Sequence, residues 1–462
     1  MTAEASASDG HERLSRATLL LYALPAAATG LQTVPMGAYL TSFWSNEMAL
    51  PLALVGLGVS LTRLLDIFTD IGLGLFSDRL RTRWGRRKPL IAAGLPLAVL
   101  AVWMLFVPPE GAGLAYFLFW VVAFNVLISV VEVPYTAWGA ELSDDYDERT
   151  RITAWRTVVA QIGSFVALSI PLALQQLGYE GTRSALLGMA TAYALLQPLL
   201  LMPLLVRGRE RPPRDLAREG PTFKQSLLVL WRNQAFRVLA IGLLLFAGGK
   251  SVSGALHLIF MTEVVGQPQL FPLMLVLEGL TGLAAVPAWL WLARRTGKPT
   301  AMMAAALWSG LWSLPLFFIG AGEGWLFVAV ICFRAVSLTA WVVLIPSMMA
   351  DAVDVDTLAA GRERTGVFFG ALYFFMKAAL AVGILVGAAL PGLAGFQPSD
   401  PEHTPQGLLA LRLVYAIGGP LLVVSSAFVF WGFPITRERQ RALKADIEAA
   451  RAAALGATPR TA

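Results

Sequence analysis

Gly56-Leu57-Gly58-Val59-Ser60-Leu61-Thr62-Arg63-Leu64-Leu65-Asp66-Ile67-Phe68-Thr69-Asp70-Ile71-Gly72-Leu73-Gly74 is an apolar stretch that carries three charges. Spacings of three and four residues put Arg63, Asp66 and Asp70 on one face of a helix. The neighbours read as a membrane-spanning segment. A carboxylate at bilayer depth costs about 3 kcal/mol on insertion scales, and two of them one turn apart also repel. A chain keeps such a pair where it binds a cation, binds a proton or lines a watered path. The stretch therefore points to an all-α membrane protein and, within that class, to a transporter.

The rest of the chain agrees. It has 462 residues, of which 56% are hydrophobic and 14% charged, against roughly 25% charged in soluble domains. Apolar runs long enough for a hydrocarbon core of about 30 Å fall at 17–42, 52–76, 89–108, 114–140, 152–176, 184–206, 236–262, 270–293, 300–320, 325–349, 366–395 and 408–433. A basic connector with Pro212, Pro213 and Pro221 separates the first six from the last six. This predicts an N-terminal tail 1–16, a six-helix bundle 17–206, a linker 207–235, a second six-helix bundle 236–433 and a tail 434–462. The first 16 residues are polar, so no cleavable signal is expected and the first span targets the chain. The single cysteine, Cys332, excludes an intrachain disulfide.

Lys and Arg set the orientation. Arg79, Arg81, Arg83, Arg86, Arg87 and Lys88 follow the second span, and Arg294, Arg295 and Lys298 follow the eighth. The linker and C-terminal tail are also basic, whereas the alternate loops are poor in basic residues. Both termini are therefore expected on the cytoplasmic side of a multi-pass protein, in a bacterial inner membrane. The net charge of +6 follows this topology, so no nucleic-acid partner is expected. The partners are the bilayer and a small organic or lipid-like substrate, with the protein a monomer. Basic residues, Gly and Lys-Pro recur in Gly85-Arg86-Arg87-Lys88-Pro89 and Arg294-Arg295-Thr296-Gly297-Lys298-Pro299, six spans apart. Two like halves of six helices are the layout of major facilitator transporters.

The chemistry-bearing residues are few. Asp66 and Asp70 supply hard oxygen ligands for a cation. A hydroxyl from Thr69 or from another helix completes a sodium shell, or one carboxyl carries a proton instead. Arg63 either neutralises one of the two or belongs to a charge network. In the fourth span Glu132 precedes Pro134-Tyr135-Thr136-Ala137-Trp138; mid-helix proline is tolerated where the helix lines a cavity, and the acid with Thr136, Tyr135 and Trp138 is suited to a polar solute. Lys377 lies deep in the eleventh span, too far in to snorkel easily. Lys250 and Arg334 are similar intramembrane cations, His257 reads as a packed neutral imidazole, and Glu278 as reaching the outer rim. Trp341 and Tyr373 are candidates to stack on a ligand. At the helix ends, Asp78, Arg86, Arg87, Glu141, Arg149, Asp351 and Asp354 are suited to a cytoplasmic gate. There is no Walker loop and no His or Cys cluster, so neither an ATP-driven pump nor an enzyme is indicated, and no cofactor beyond a coupling Na+ or H+.

At these residues the chain resembles the glycoside–pentoside–hexuronide:cation symporters of the major facilitator superfamily, typified by the melibiose permease. Arg63-x-x-Asp66-x-x-x-Asp70-x-x-x-Gly74-x-x-x-Asp78 is similar to the family's second-helix motif, and Trp84-Gly85-Arg86-Arg87-Lys88-Pro89 to its following loop. Val133-Pro134-Tyr135, Glu141-Leu142, Glu148-Arg149-Thr150 and Ala350-Asp351-Ala352-Val353-Asp354 extend the likeness. The resemblance implies cation ligation by Asp66 and Asp70, with Ser129 where the family has a threonine ligand. It implies substrate contacts from Glu132, Arg156 and Trp341, and a link between the two sites at Lys377. It implies cation-coupled symport of a sugar, glycoside or related solute by alternating access. The chain departs from the family in three places. Gly30 aligns with a sugar-gripping aspartate, Thr136 with a stacking tryptophan, and Ile71 with a proline. The first span offers mainly Tyr22, Thr29, Gln32 and Thr33 as polar groups. Galactoside specificity is therefore not expected. A lysophospholipid or other amphiphile is the rival substrate, and a non-transporting membrane receptor or scaffold the rival class.

Overall fold

The computed structural model describes residues 13–143, 146–210, 229–360, 364–400, 402–436, 438–440, 442–443 and 446. Among the described residues, twelve helices are long and apolar enough to cross a membrane, as the apolar runs predict. They are α1 (Arg16–Ala38), α2 (Leu52–Arg79), α3 (Lys88–Phe106), α4 (Leu114–Glu141), α5 (Arg151–Gln176), α6 (Thr182–Arg207), α7 (Gln234–Val265), α8 (Pro268–Thr296), α9 (Lys298–Phe317), α10 (Gly324–Leu358), α11 (Val367–Leu393) and α12 (Pro405–Trp431). The expected linker falls mostly on 211–228, and those residues, like most of both expected tails, lie outside the described residues.

Helices dominate because backbone polar groups in hydrocarbon must be satisfied within the segment. Irregularities occur where other groups take over. α1 tightens into a 3-10 turn over Leu24–Thr29 behind Pro25. Pro134 sits inside α4 without ending it. α10 is interrupted at 336–339, where no proline or glycine is present. Side chains from two neighbouring helices and from the interruption itself occupy the exposed carbonyls there. Trp289 Nε1 donates to Val336 O at 2.6 Å, Trp308 Nε1 to Phe333 O at 2.7 Å and Ser337 Oγ to Arg334 O at 2.9 Å.

The chain divides into two compact units: Met1–Met36 with Phe68–Asp215, and Gly37–Ile67 with Leu216–Ala462. In the first, Tyr22, Ile91, Leu95, Val131, Tyr135, Trp138, Leu201 and Leu204 form a buried core. In the second, α7 packs along α11 and α12. Small residues allow that approach: a Cβ at Gly383 would fall 2.5 Å from Gly248 O, and one at Gly387 2.7 Å from Val252 O. Close backbone contact through glycine is the usual means of packing helices in a membrane, where apolar burial gives no drive. The second unit also holds the α1–α2 connection, where Asn46 Nδ2 donates to Glu263 Oε1 at 2.9 Å and Leu52 N to Gln397 Oε1 at 3.2 Å.

Candidate functional site

α2 runs unbroken through Arg63, Asp66, Thr69 and Asp70, so the two carboxylates stand one turn, about 6 Å of rise, apart. Asp66 is 6% exposed, and Arg63 Nη1 lies 3.8 Å from its Oδ2. That is a long contact between charges three residues apart. Thr69 and Asp70 are half-buried. The helix therefore presents a hydroxyl and two carboxylates of the kind that ligate a hard cation.

In the first unit, Glu132 of α4 is gripped from two sides. Thr29 Oγ1 donates to its Oε1 at 3.2 Å, and Arg156 Nη2 of α5 to its Oε2 at 3.3 Å. The Arg156 guanidinium also lies over the Tyr135 ring, 5.2 Å from its centroid. Tyr135 in turn stacks on Tyr22 at 5.0 Å and donates from its hydroxyl to Tyr22 O at 2.6 Å. About a quarter of the Glu132 and Arg156 side chains remains accessible, at 23% and 28%. The pair is thus held and still reachable. Ser129 lies one turn before Glu132 on α4 and is buried, and Thr136 one turn after it is exposed. Trp138 is a correction: it is 1% exposed, packs beside Gly208 and donates to Arg209 O, so it belongs to the core and not to a solute site.

Gly30 has a structural reason. A Cβ there would lie 2.5 Å from both Cα and N of Ser164. α1 and α5 meet backbone to backbone at this point, with Gly163 on the other side. No side chain fits at position 30, and the neighbouring Thr29 reaches Glu132 instead.

In the second unit, Lys377 is half-buried in α11 and Tyr373, one turn earlier, is 56% exposed. Trp341 begins the second part of α10 and packs on Phe246, 6.5 Å between centroids. Lys250 Nζ donates to Ser337 Oγ at 3.2 Å. Arg334 lies over the Tyr415 ring at 5.9 Å. His257 is packed among Phe271, Phe327 and Tyr415, as its sequence setting suggests. Glu278 is half-buried on α8, within electrostatic range of Lys250 and Arg334.

The gate candidates form separate clusters in each unit. In the first, Arg87 donates to Ser77 Oγ at 2.7 Å and bridges Asp78 and Glu141, each at 2.5 Å, with Arg86 on Glu141 at 3.0 Å. Glu210, not anticipated, accepts from the backbone N–H groups of Arg86, Arg87 and Lys88 at 2.6–3.1 Å. It caps the positive start of α3. In the second, Lys298 holds Asp351 at 2.6 Å, with Gln440 also on Asp351. Asp354 is half-buried one turn along α10; the Arg149 side chain lies outside the described residues.

Comparison with known proteins adds the family. The sequence profile of the MFS/sugar transport protein family matches residues 21–437. The chain is 23% identical to the glucuronide carrier protein homolog of Escherichia coli, covering 95% of this chain and 96% of that protein. It is 26% identical to the sodium-dependent lysophosphatidylcholine symporter 1 of Mus musculus, over 95% of this chain and 89% of that one. Among solved structures, a variant of the nucleoside transporter NupG superposes with a TM-score of 0.63 at 13% identity, covering 90% of this chain and all of that one. This last likeness bears on the fold alone.

Proposed function

We propose that the chain, which belongs to the MFS/sugar transport protein family, is a sodium-coupled symporter of a sugar- or glycoside-like solute. The observation that carries the reading is the pair Asp66 and Asp70 on one unbroken face of α2, with Thr69 between them. Sodium is a hard cation that takes oxygen ligands, and two carboxylates with a neutral hydroxyl offer them. Ser129 is the further hydroxyl assigned to the site. A proton on one carboxyl is the competing coupling ion.

Within the first unit Glu132, Arg156 and Thr136 are assigned to solute binding, and within the second Trp341, Tyr373 and Lys377 are. Glu132 and Arg156 together offer acceptors and donors to hydroxyls, while Thr29 and Tyr135 fix their positions. Arg63, Lys250, Arg334 and Lys377 form the charge network. The clusters around Arg87 and around Asp351 serve as parts of a cytoplasmic gate, with both termini on that side, in a monomer of the bacterial inner membrane. Alternating access converts the sodium gradient into solute accumulation. The absence of room for a side chain at position 30 disfavours galactosides, because a site lacking a partner for a ring hydroxyl discriminates against that ring. A lysophospholipid-type amphiphile is the second reading, favoured by the mouse relative's likeness over nearly the whole chain.

The test is uptake by purified protein in liposomes under an imposed sodium gradient. Asp66→Ala or Asp70→Ala should abolish gradient-driven accumulation in protein that still inserts and elutes as a single species. Accumulation by both variants at the wild-type rate would remove the pair from the mechanism.

A further inference from the structure

The second unit contains a charged cluster that the cation site and the Glu132–Arg156 pair do not use. Lys250 of α7, Glu278 of α8 and Arg334 of α10 come from three helices and lie within electrostatic range of one another, and Lys250 reaches the interruption at 336–339 through Ser337. Their charges do not cancel: two cations stand against one carboxylate. Among the described residues, neither Lys250 nor Arg334 is within 4 Å of a carboxylate oxygen. The hydrogen-bond and ring contacts of Lys250 are neutral ones, the Ser337 hydroxyl at 3.2 Å and the Phe246 ring at 6.0 Å. Arg334 is 5% exposed and its Nε has no hydrogen-bond partner. His257, 6% exposed, likewise has an unpartnered Nε2.

A buried donor without an acceptor is costly, and an uncompensated charge at membrane depth more so. Such groups are retained where something else supplies the acceptor. Access is present. Lys250 and Glu278 keep accessible surface, while Arg334 and His257 are buried. Phe246, which Lys250 approaches, is also the ring on which Trp341 packs. The excess positive charge thus stands next to the residue assigned to stack on the solute.

We propose that Lys250, with the buried Arg334 in electrostatic range, is a subsite for an anionic oxygen group, a carboxylate or phosphate, carried by the transported solute. The proposal rests on the carrier reading above and narrows its substrate class. A solute ring or chain lies against Trp341, and its anionic group accepts from Lys250 Nζ. Arg334 supplies the balancing field. Glu278 limits the attraction, so that the anion is released as well as bound, and it sets a preference for singly over multiply charged groups.

The experiment measures equilibrium binding to the full chain in detergent at constant sodium and ionic strength. Two matched probe pairs separate the sources of the anion: 4-nitrophenyl β-glucuronide against the β-glucoside, and lysophosphatidic acid against the monoacylglycerol of the same chain. In one pair the charged member should bind roughly tenfold tighter, the scale of one charge-assisted hydrogen bond. The pair that shows it identifies carboxylate or phosphate. Lys250→Gln should bring that ratio close to one, Lys250→Arg should retain most of it, and Glu278→Gln should raise it. Elution as a single species and an unchanged helical circular dichroism spectrum establish that each variant is folded. A ratio near one for both pairs in the wild type, or a ratio unchanged in Lys250→Gln, overturns the proposal. Because binding is read without a gradient, this failure is separate from that of the carrier reading, which is judged by sodium-driven uptake.

Discussion

Glu132 with Arg156 and Lys250 with Arg334 are both intramembrane charge clusters, and they are built in opposite ways. In the first unit the acid and the base face each other at 3.3 Å, Thr29 takes the second carboxylate oxygen, and two stacked tyrosines back the guanidinium. In the second unit two cations and one carboxylate come near one another without closing a pair, and a hydroxyl is the hydrogen-bond partner of Lys250. A closed pair is a preformed polar surface that a neutral solute can share. An open, unbalanced cluster is a site completed by what binds. Intramembrane charge alone does not distinguish these roles; the partner list does.

The comparison is broken most severely at the closed pair. Removing one member leaves the other uncompensated, which costs about 3–5 kcal/mol when burial is complete. With a quarter of each side chain accessible, Glu132→Ala is expected to destabilise by about 2 kcal/mol and to abolish solute binding. The double change Glu132→Gln with Arg156→Gln should recover most of the stability and none of the binding. Denaturation in detergent with parallel binding assays separates the two effects. Equal stability of Glu132→Ala and wild type would show that the pair is not closed in solution.

Position 30 is next. Gly30→Asp must force α1 from α5 where a Cβ would already sit 2.5 Å from the Ser164 backbone. Overpacking of this kind costs about 1–3 kcal/mol. The variant should melt lower and should not gain melibiose binding. A stable Gly30→Asp protein that binds melibiose would show that the missing acid, not helix packing, sets this specificity.

The open cluster should respond with the opposite sign. Lys250→Met removes an uncompensated cation and lets Glu278 answer Arg334 alone. Its stability without solute is expected to be unchanged or higher by about 1 kcal/mol, since replacing poorly compensated buried charge by apolar groups is often stabilising. The same melting assay sharpens the contrast with Glu132→Ala. A large loss of stability would mean that Lys250 is already paired.

Much of this organisation was readable along the chain, for reasons specific to membranes. Twelve helices follow from run length and hydropathy, because in hydrocarbon no other open-ended element satisfies its backbone. Asp66, Asp70, Glu132, Lys250 and Arg334 are conspicuous because charge is rare in such runs, whereas Arg156 is reached only through the family resemblance. What stayed hidden depends on tertiary contact. The break in α10 has no proline or glycine to announce it; indoles from Trp289 and Trp308 make it tolerable. Pro134, the obvious breaker, leaves α4 continuous. Thr29 and Gly30 lie in an uncharged span, and the grip on Glu132 and the close crossing with α5 appear only when α1 is placed beside α4 and α5. Glu210 caps α3 from across the unit, at a distance in sequence that no local capping pattern covers. Glu278 sits where hydropathy alone allows either a rim or an interior position.

The central claim, a sodium site at Asp66 and Asp70, is tested most directly by sodium-dependent stabilisation, which needs no knowledge of the solute. Purified protein is melted with sodium chloride replacing choline chloride at fixed ionic strength and pH. A ligand of the native state adds RT ln(1 + [L]/Kd), about 2.7 kcal/mol at a hundredfold excess over Kd. The account predicts that sodium raises the melting temperature of the wild type and that Asp70→Asn, which keeps the shape and removes the charge, loses the shift. An equal sodium shift in wild type and Asp70→Asn, or no sodium shift in the wild type, would contradict it.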